Sequence, residues 1–168
     1  MKYLIVVDMQ VDFITGALGS KYAEAIVPRV VDIVREFDGE IIFTRDTHGE
    51  DYLETREGRH LPITHCVRGT AGHEICPELL SYAKTVIDKE TFGSVELAGV
   101  IRRFGYEVEE IVLLGLCTDI CVISNAMLLK AEFPEADITV ISSASAGVTP
   151  ESHETALAAM KAVQINVI

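Results

Sequence analysis

Several things are scarce in this chain of 168 residues. It has no tryptophan, 5 prolines and 12 glycines, and aromatic residues make up 7% of it. So little glycine and proline excludes a collagen-like or low-complexity chain, and 49% hydrophobic content excludes a disordered one. Positive charge is also short: 14 Lys and Arg stand against 26 Asp and Glu, a formal charge of −12. A field of that sign repels phosphate backbones and anionic membranes, so neither nucleic acid nor membrane is expected as a partner. No apolar run is long enough to span a bilayer, and the opening MKYLIVVDMQ reaches Asp8 too soon for a signal peptide's apolar region. A cytoplasmic protein with four reduced cysteines is the expectation.

Familiar motifs are missing as well. There is no GxGxxG and no GxxxxGK[ST], so neither a dinucleotide nor a triphosphate is advertised. His73-Glu74 and His153-Glu154 open like HExxH, but neither has the second His. Cys117 and Cys121 have three residues between them rather than two, which is not the thioredoxin-type spacing.

What is present is an alternation of apolar runs and helix-period segments. Tyr3–Val7, Glu40–Phe43, Thr85–Ile87, Ile111–Leu114, Ile138–Ile141 and Ile165–Ile168 are continuous rather than alternating, the pattern of strands buried on both faces. Helices are expected over Val27–Phe37 with Pro28 at its first position, Ser94–Phe104, Ile120–Glu132, and Pro150–Val163 capped by Thr149, with one more before the third strand. The fold class that follows is α/β: a doubly wound three-layer sandwich around a central, mostly parallel six-stranded sheet. Residues 1–168 form a single domain. Its one break in rhythm is an insertion at about 44–76, which holds four of the five His and two of the four Cys. Loops of that length are usually functional.

Open parallel sheets bind ligands beyond the carboxyl ends of their strands. Those ends carry Asp8, then Asp46 and His48, then Lys89, then Cys121. Singly, each has an ordinary explanation: a turn acid, a solvated ammonium, a buried small thiol. Jointly they supply a nucleophile and its base. Helix N-terminal amides and Lys89 are expected to favour the Cys121 thiolate, while Cys117 is expected to pack inside. In the loop, Asp46-x-His48 is followed by Glu54, Glu57, His60, His65 and His73, a mixed carboxylate and imidazole set suited to Zn, Mn or Fe.

Five ordered motifs, VVDMQVDF at 6–13, RDTH at 45–48, LPITHCVRGTAG at 61–72, DK at 88–89 and GLCTDICV at 115–122, resemble those of the isochorismatase-like cysteine hydrolases, nicotinamidase/pyrazinamidase branch. The resemblance implies a triad of Asp8, Lys89 and Cys121, a cis peptide at Leu116–Cys117, and an oxyanion hole from the backbone amides of Cys117 and Cys121. It implies one divalent metal ion, zinc first and Mn or Fe as alternatives, on Asp46, His48, Glu57 and His65, with Glu54 as the alternative to Glu57. No organic cofactor is implied. Phe13 would stack on the substrate ring. Where the family commonly has a second aromatic this chain has Leu61, with Tyr52 or Phe92 as substitutes. The implied reaction is hydrolysis of nicotinamide to nicotinate and ammonia through a thioester, a step of pyridine nucleotide salvage, in a homo-oligomer. The alternatives are another C–N bond, in a ureido or carbamoyl substrate, or a non-catalytic metal-binding scaffold.

Overall fold

Buried β-branched runs do form the centre of the molecule. A computed structural model describes all 168 residues. Its strands are β1 (Lys2–Val7), β2 (Glu40–Asp46), β3 (Val86–Lys89), β4 (Glu110–Leu116), β5 (Asp137–Ala146) and β6 (Asn166–Val167). They make one sheet in the order β3-β2-β1-β4-β5-β6, and every pairing is parallel. The helices are α1 (Val11–Ile14), α2 (Lys21–Glu36), α3 (Arg56–His60), α4 (Leu97–Arg103), α5 (Ile123–Glu132) and α6 (Pro150–Ala162).

Alternation along the strands divides the core in two. Tyr3, Ile5, Val7, Ile111 and Leu113 pack under α4, α5 and α6, whereas Leu4, Val6, Phe43, Val112 and Leu114 pack against α2 and the long insertion. This is the three-layer sandwich.

Two helix expectations are corrected. α2 begins at Lys21, seven residues earlier than Pro28, because Ser20 caps it by accepting from the Ala23 amide at 3.1 Å. Pro28 therefore lies inside the helix. Its missing N–H is tolerated because the stripe Ala23, Ile26, Val30 and Val34 is buried against the sheet. Between the insertion and β3 there is no α-helix, only a 3₁₀ turn at Leu80–Tyr82. α6 starts at Pro150 as expected, with Thr149 and Ser152 in a reciprocal capping box.

Strand order decides where a site can form. From β1 the chain runs out to β3 and then returns to β4 on the other side, so the order reverses between β1 and β4. Val7 pairs with Thr44 on one side and Gly115 on the other, so Asp8 emerges between both neighbours. Gly115 has φ +117°, and a Cβ there would run into the Val7 carbonyl, so only glycine lets the two backbones approach this closely.

The insertion is tied down rather than loose. His48 donates its amide to Cys66 O and accepts from the Arg68 amide, at 3.0 and 2.9 Å, while the Val11 and Cys76 amides donate to Glu74 O and Met9 O. Cys66 N also donates to Asp12 Oδ2 at 2.8 Å. No helix is long and apolar enough to cross a membrane.

Candidate active site and metal centre

The ends of β1, β2, β3 and β4 bring their polar residues to one place. Asp8 follows β1 with φ +48°, a left-handed conformation that Asp tolerates, and is wholly buried. Its Oδ1 accepts from Thr44 Oγ1 at 2.6 Å, and its Oδ2 lies 2.6 Å from Lys89 Nζ. That second contact is a close ion pair lying off hydrogen-bond alignment, so Oδ2 has no aligned donor. Register places Lys89 beside Asp46 and Asp88 beside Arg45. Alternation then sends Asp88 outward, where it binds Arg45 and Arg68, and Lys89 inward. Lys89 Nζ donates to Asp46 Oδ1 at 3.3 Å, Thr91 O at 3.1 Å and Cys121 Sγ at 3.5 Å.

Cys121 sits on a π-type turn, Thr118–Val122, that leads into α5. The Leu116–Cys117 peptide before it is cis. Burial pushes the Cys121 thiol well above its ordinary range, the Asp8 carboxylate adds to this, and Lys89 only partly offsets them. This reverses the expectation of a resting thiolate: desolvation of the sulfur outweighs the nearby ammonium. Burial also raises Asp8, with Lys89 pulling it back. Burial works against the Lys89 ammonium, but Asp8, Cys121 and Asp46 together hold it above the ordinary lysine range. Desolvation thus favours the protonated form of the thiol, beside the Asp8 carboxyl group. Cys117 packs against the core, as expected, but only in part. It is half-buried and lines the cavity, and burial raises its thiol to about 12.

The insertion delivers a second cluster. One donor atom from each of Asp46, His48, Glu57 and His65 lies within 4.8 Å of the others. His48 Nε2 is 2.8 Å from Asp46 Oδ2 and 3.6 Å from Glu57 Oε1. His65 Nε2 is 3.4 and 3.9 Å from the same two oxygens. His65 Nδ1 donates to Ile63 O at 2.8 Å, which leaves Nε2 as the inward lone pair. Burial opposes charge on Asp46, but the adjoining His48 and His65 imidazoles and the nearby Lys89 hold its carboxyl below the usual range. Two imidazole nitrogens and two carboxylates facing one point are a donor set that fits a borderline divalent ion. Glu57 reaches this point from α3. Glu54 lies in the preceding turn, exposed and outside the cluster.

A cavity of about 490 Å³ opens over both groups. Cys117 and Cys121 line it together with Asp46, Glu57 and His65 and with Phe13, Leu61 and Phe92. Phe13 packs 5.5 Å from the His65 ring. Of the two aromatic substitutes expected opposite Phe13, Phe92 lines the cavity. Tyr52 instead lies behind the cluster, 4.6 Å from His48 and 5.0 Å from His65, and donates to Leu61 O.

Three supporting residues had no role in the sequence reading. Gln10 donates to Asp46 O and His73 O and accepts from the Asp46 amide. Thr44 orients Asp8. Asn125, one helical turn after Cys121, donates to Cys121 O and Phe92 O and accepts from the Ser94 amide. Gln10 stands within the motif at 6–13, so its place there was the available signal. Nothing local marked Thr44 or Asn125. His73 is buried, with Nε2 2.8 Å from Thr47 Oγ1, and His60 is exposed.

Known proteins share this arrangement of elements. The pyrazinamidase of Pyrococcus horikoshii, solved in complex with zinc, is 32% identical and superposes with a TM-score of 0.86, over 99% of this chain and 98% of that one. The pyrazinamidase/nicotinamidase of Streptococcus mutans is 28% identical with a TM-score of 0.87, each chain being covered in full. An Arabidopsis thaliana protein named a probable inactive nicotinamidase is 29% identical, over 96% of this chain and 89% of its own. A family model, the isochorismatase domain, matches residues 2–168, and with it the chain belongs to the isochorismatase family.

Proposed function

We propose that this protein is a cysteine-dependent amidohydrolase that converts nicotinamide to nicotinate and ammonia. The observation that carries this reading is one ammonium, Lys89 Nζ, within 3.5 Å of Asp8, Asp46 and Cys121, the last two of which line a cavity. Asp8 Oδ2 takes the Cys121 proton as sulfur attacks the carboxamide carbon. The backbone amides of Cys117 and Cys121 receive the oxyanion. Asp8 returns the proton to the departing nitrogen, ammonia leaves, and a thioester remains on Cys121. A water molecule that gives its proton to Asp8 then attacks the thioester, releasing nicotinate and the thiol. Lys89 keeps Asp8 charged before the transfer and stabilises sulfur during it.

Asp46, His48, Glu57 and His65 would hold one divalent ion, zinc before manganese or iron, which supplies a docking point for the pyridine nitrogen. Phe13 and Leu61 would flank the ring. A zinc-bound pyrazinamidase at 32% identity supports this assignment.

One observation favours a second reading. The Arabidopsis relative is named a probable inactive nicotinamidase, so the fold also occurs without expected turnover. Against a silent scaffold here stands the complete set Asp8, Lys89 and Cys121. The test is ammonia release from nicotinamide by metal-loaded protein with Cys121→Ala alongside. Release that falls by at least about a thousandfold in the variant supports the reading. No release from the parent overturns it and directs the search to ureido and carbamoyl compounds.

A further inference from the structure

The four-residue cluster has two faces, and each opens on a different cavity. The cavity over Cys121 is walled mainly by apolar side chains and meets the cluster at Asp46, Glu57 and His65. A second cavity, of about 570 Å³, meets it at His48 and Glu57 instead. Arg56, His60, Glu90 and Phe92 line this second space, and Phe92 is its sole apolar wall. Glu57 and Phe92 belong to both, so they form the partition between them.

We propose that the polar cavity is the route by which a divalent cation enters and leaves the centre, with exposed His60 and Glu90 as its capture pair. The inference rests on the reading that Asp46, His48, Glu57 and His65 hold a metal ion. A hydrated dication loses much solvation energy against apolar walls, so it travels where protein oxygens and nitrogens replace its waters one at a time. His60 can serve in that way. Its Nδ1 lies 2.9 Å from Arg56 O, and a carbonyl only accepts, so Nδ1 carries the proton and Nε2 keeps its lone pair. Glu90 and Glu57 supply negative charge along the way, against the single positive charge of Arg56. An ion arriving here meets Glu57 and His48 first. Asp46 and His65, whose side chains face the other cavity, complete the set afterwards. An amide with an apolar ring takes the opposite door.

The test reads metal exchange rather than turnover. Metal-free protein is mixed with Co²⁺ in a stopped-flow instrument and occupancy is followed by the ligand-field absorption of the bound ion. Release is followed after adding excess EDTA. In His60→Ala/Glu90→Gln, uptake and release should both slow by roughly tenfold, the lower end of electrostatic effects on association, with equilibrium affinity little changed. Arg56→Gln should speed uptake. Leu18→Trp, which narrows the apolar cavity, should leave both rates alone. Unchanged rates in the double variant, or slowing by Leu18→Trp instead, overturn the proposed route while the metal centre stands. Weaker affinity at unchanged uptake overturns it too, because the pair would then support the bound ion and not its passage. A parent protein that binds no cobalt removes the metal centre and this route together.

Discussion

Lys89 Nζ and Asp8 Oδ2 meet at 2.6 Å, with both side chains shut off from solvent. Removing charges from water is costly, and such a pair persists only when each charge is answered. Lys89 answers two carboxylates, since Asp46 Oδ1 is 3.3 Å away on its other side. The ammonium is therefore the joint between Asp8 and the Asp46 cluster.

Lys89→Met keeps the length of the side chain and deletes its charge, leaving Asp8 and Asp46 buried without a cation. We expect a loss of about 3–5 kcal/mol in unfolding free energy, read from the urea midpoint, together with loss of turnover. A variant as stable as the parent would mean that the two carboxylates are not held charged by Lys89.

Gln10 uses its side-chain amide on the strand that presents Asp46, through hydrogen bonds of 2.7 and 2.9 Å to the Asp46 backbone. Gln10→Ala should weaken zinc binding by roughly 10–100-fold, the effect of losing a group that orients a ligand, while circular dichroism stays unchanged. Titration with a competing chelator measures it. Parent-like affinity would show that β2 holds Asp46 without this brace.

Leu61 sits in the cavity wall with Phe13. Leu61→Trp adds a second aromatic face, and stacking geometry is worth about 0.5–1.5 kcal/mol beyond the area buried. KM for pyridine carboxamides should fall by roughly 2–10-fold with kcat little altered. A rise in KM would place the ring elsewhere in the cavity.

Buried thiols govern the alkaline limb of stability. Burial raises Cys76 to about 11 and Cys117 to about 12, against an ordinary value of 9.0. Above pH 9 the unfolded chain therefore loses thiol protons that the folded chain retains. Stability is full below that pH and falls as pH rises towards 11. Thermal melts at pH 8 and pH 10 should show a lower Tm at the higher pH, and Cys76→Val should lessen the drop. Equal drops in parent and variant would assign the loss to other groups.

Much of the architecture was legible because its signals are local. Continuous β-branched runs imply strands covered on both faces, and these form the all-parallel sheet. Thr149 and Pro150 marked the start of α6 through capping chemistry that spans only three residues. Pro28 misled for the same reason: it is a good first helical residue locally, yet Ser20 and the buried stripe of α2 carry the helix past it.

By itself, the sequence determined which chemical groups stand at the strand ends, since a side chain's identity and its position after an apolar run need no partner. Tertiary structure alone decided how those groups meet. Parallel register set Lys89 inward beside Asp46 and turned Asp88 out to Arg45. Helix α3 brought Glu57, and not Glu54, to the two imidazoles. Complete burial raised the Cys121 thiol although an ammonium lies 3.5 Å away. The physical reason is common to all three: strand order, register and desolvation are properties of neighbours distant in the chain, and no local window of residues contains them.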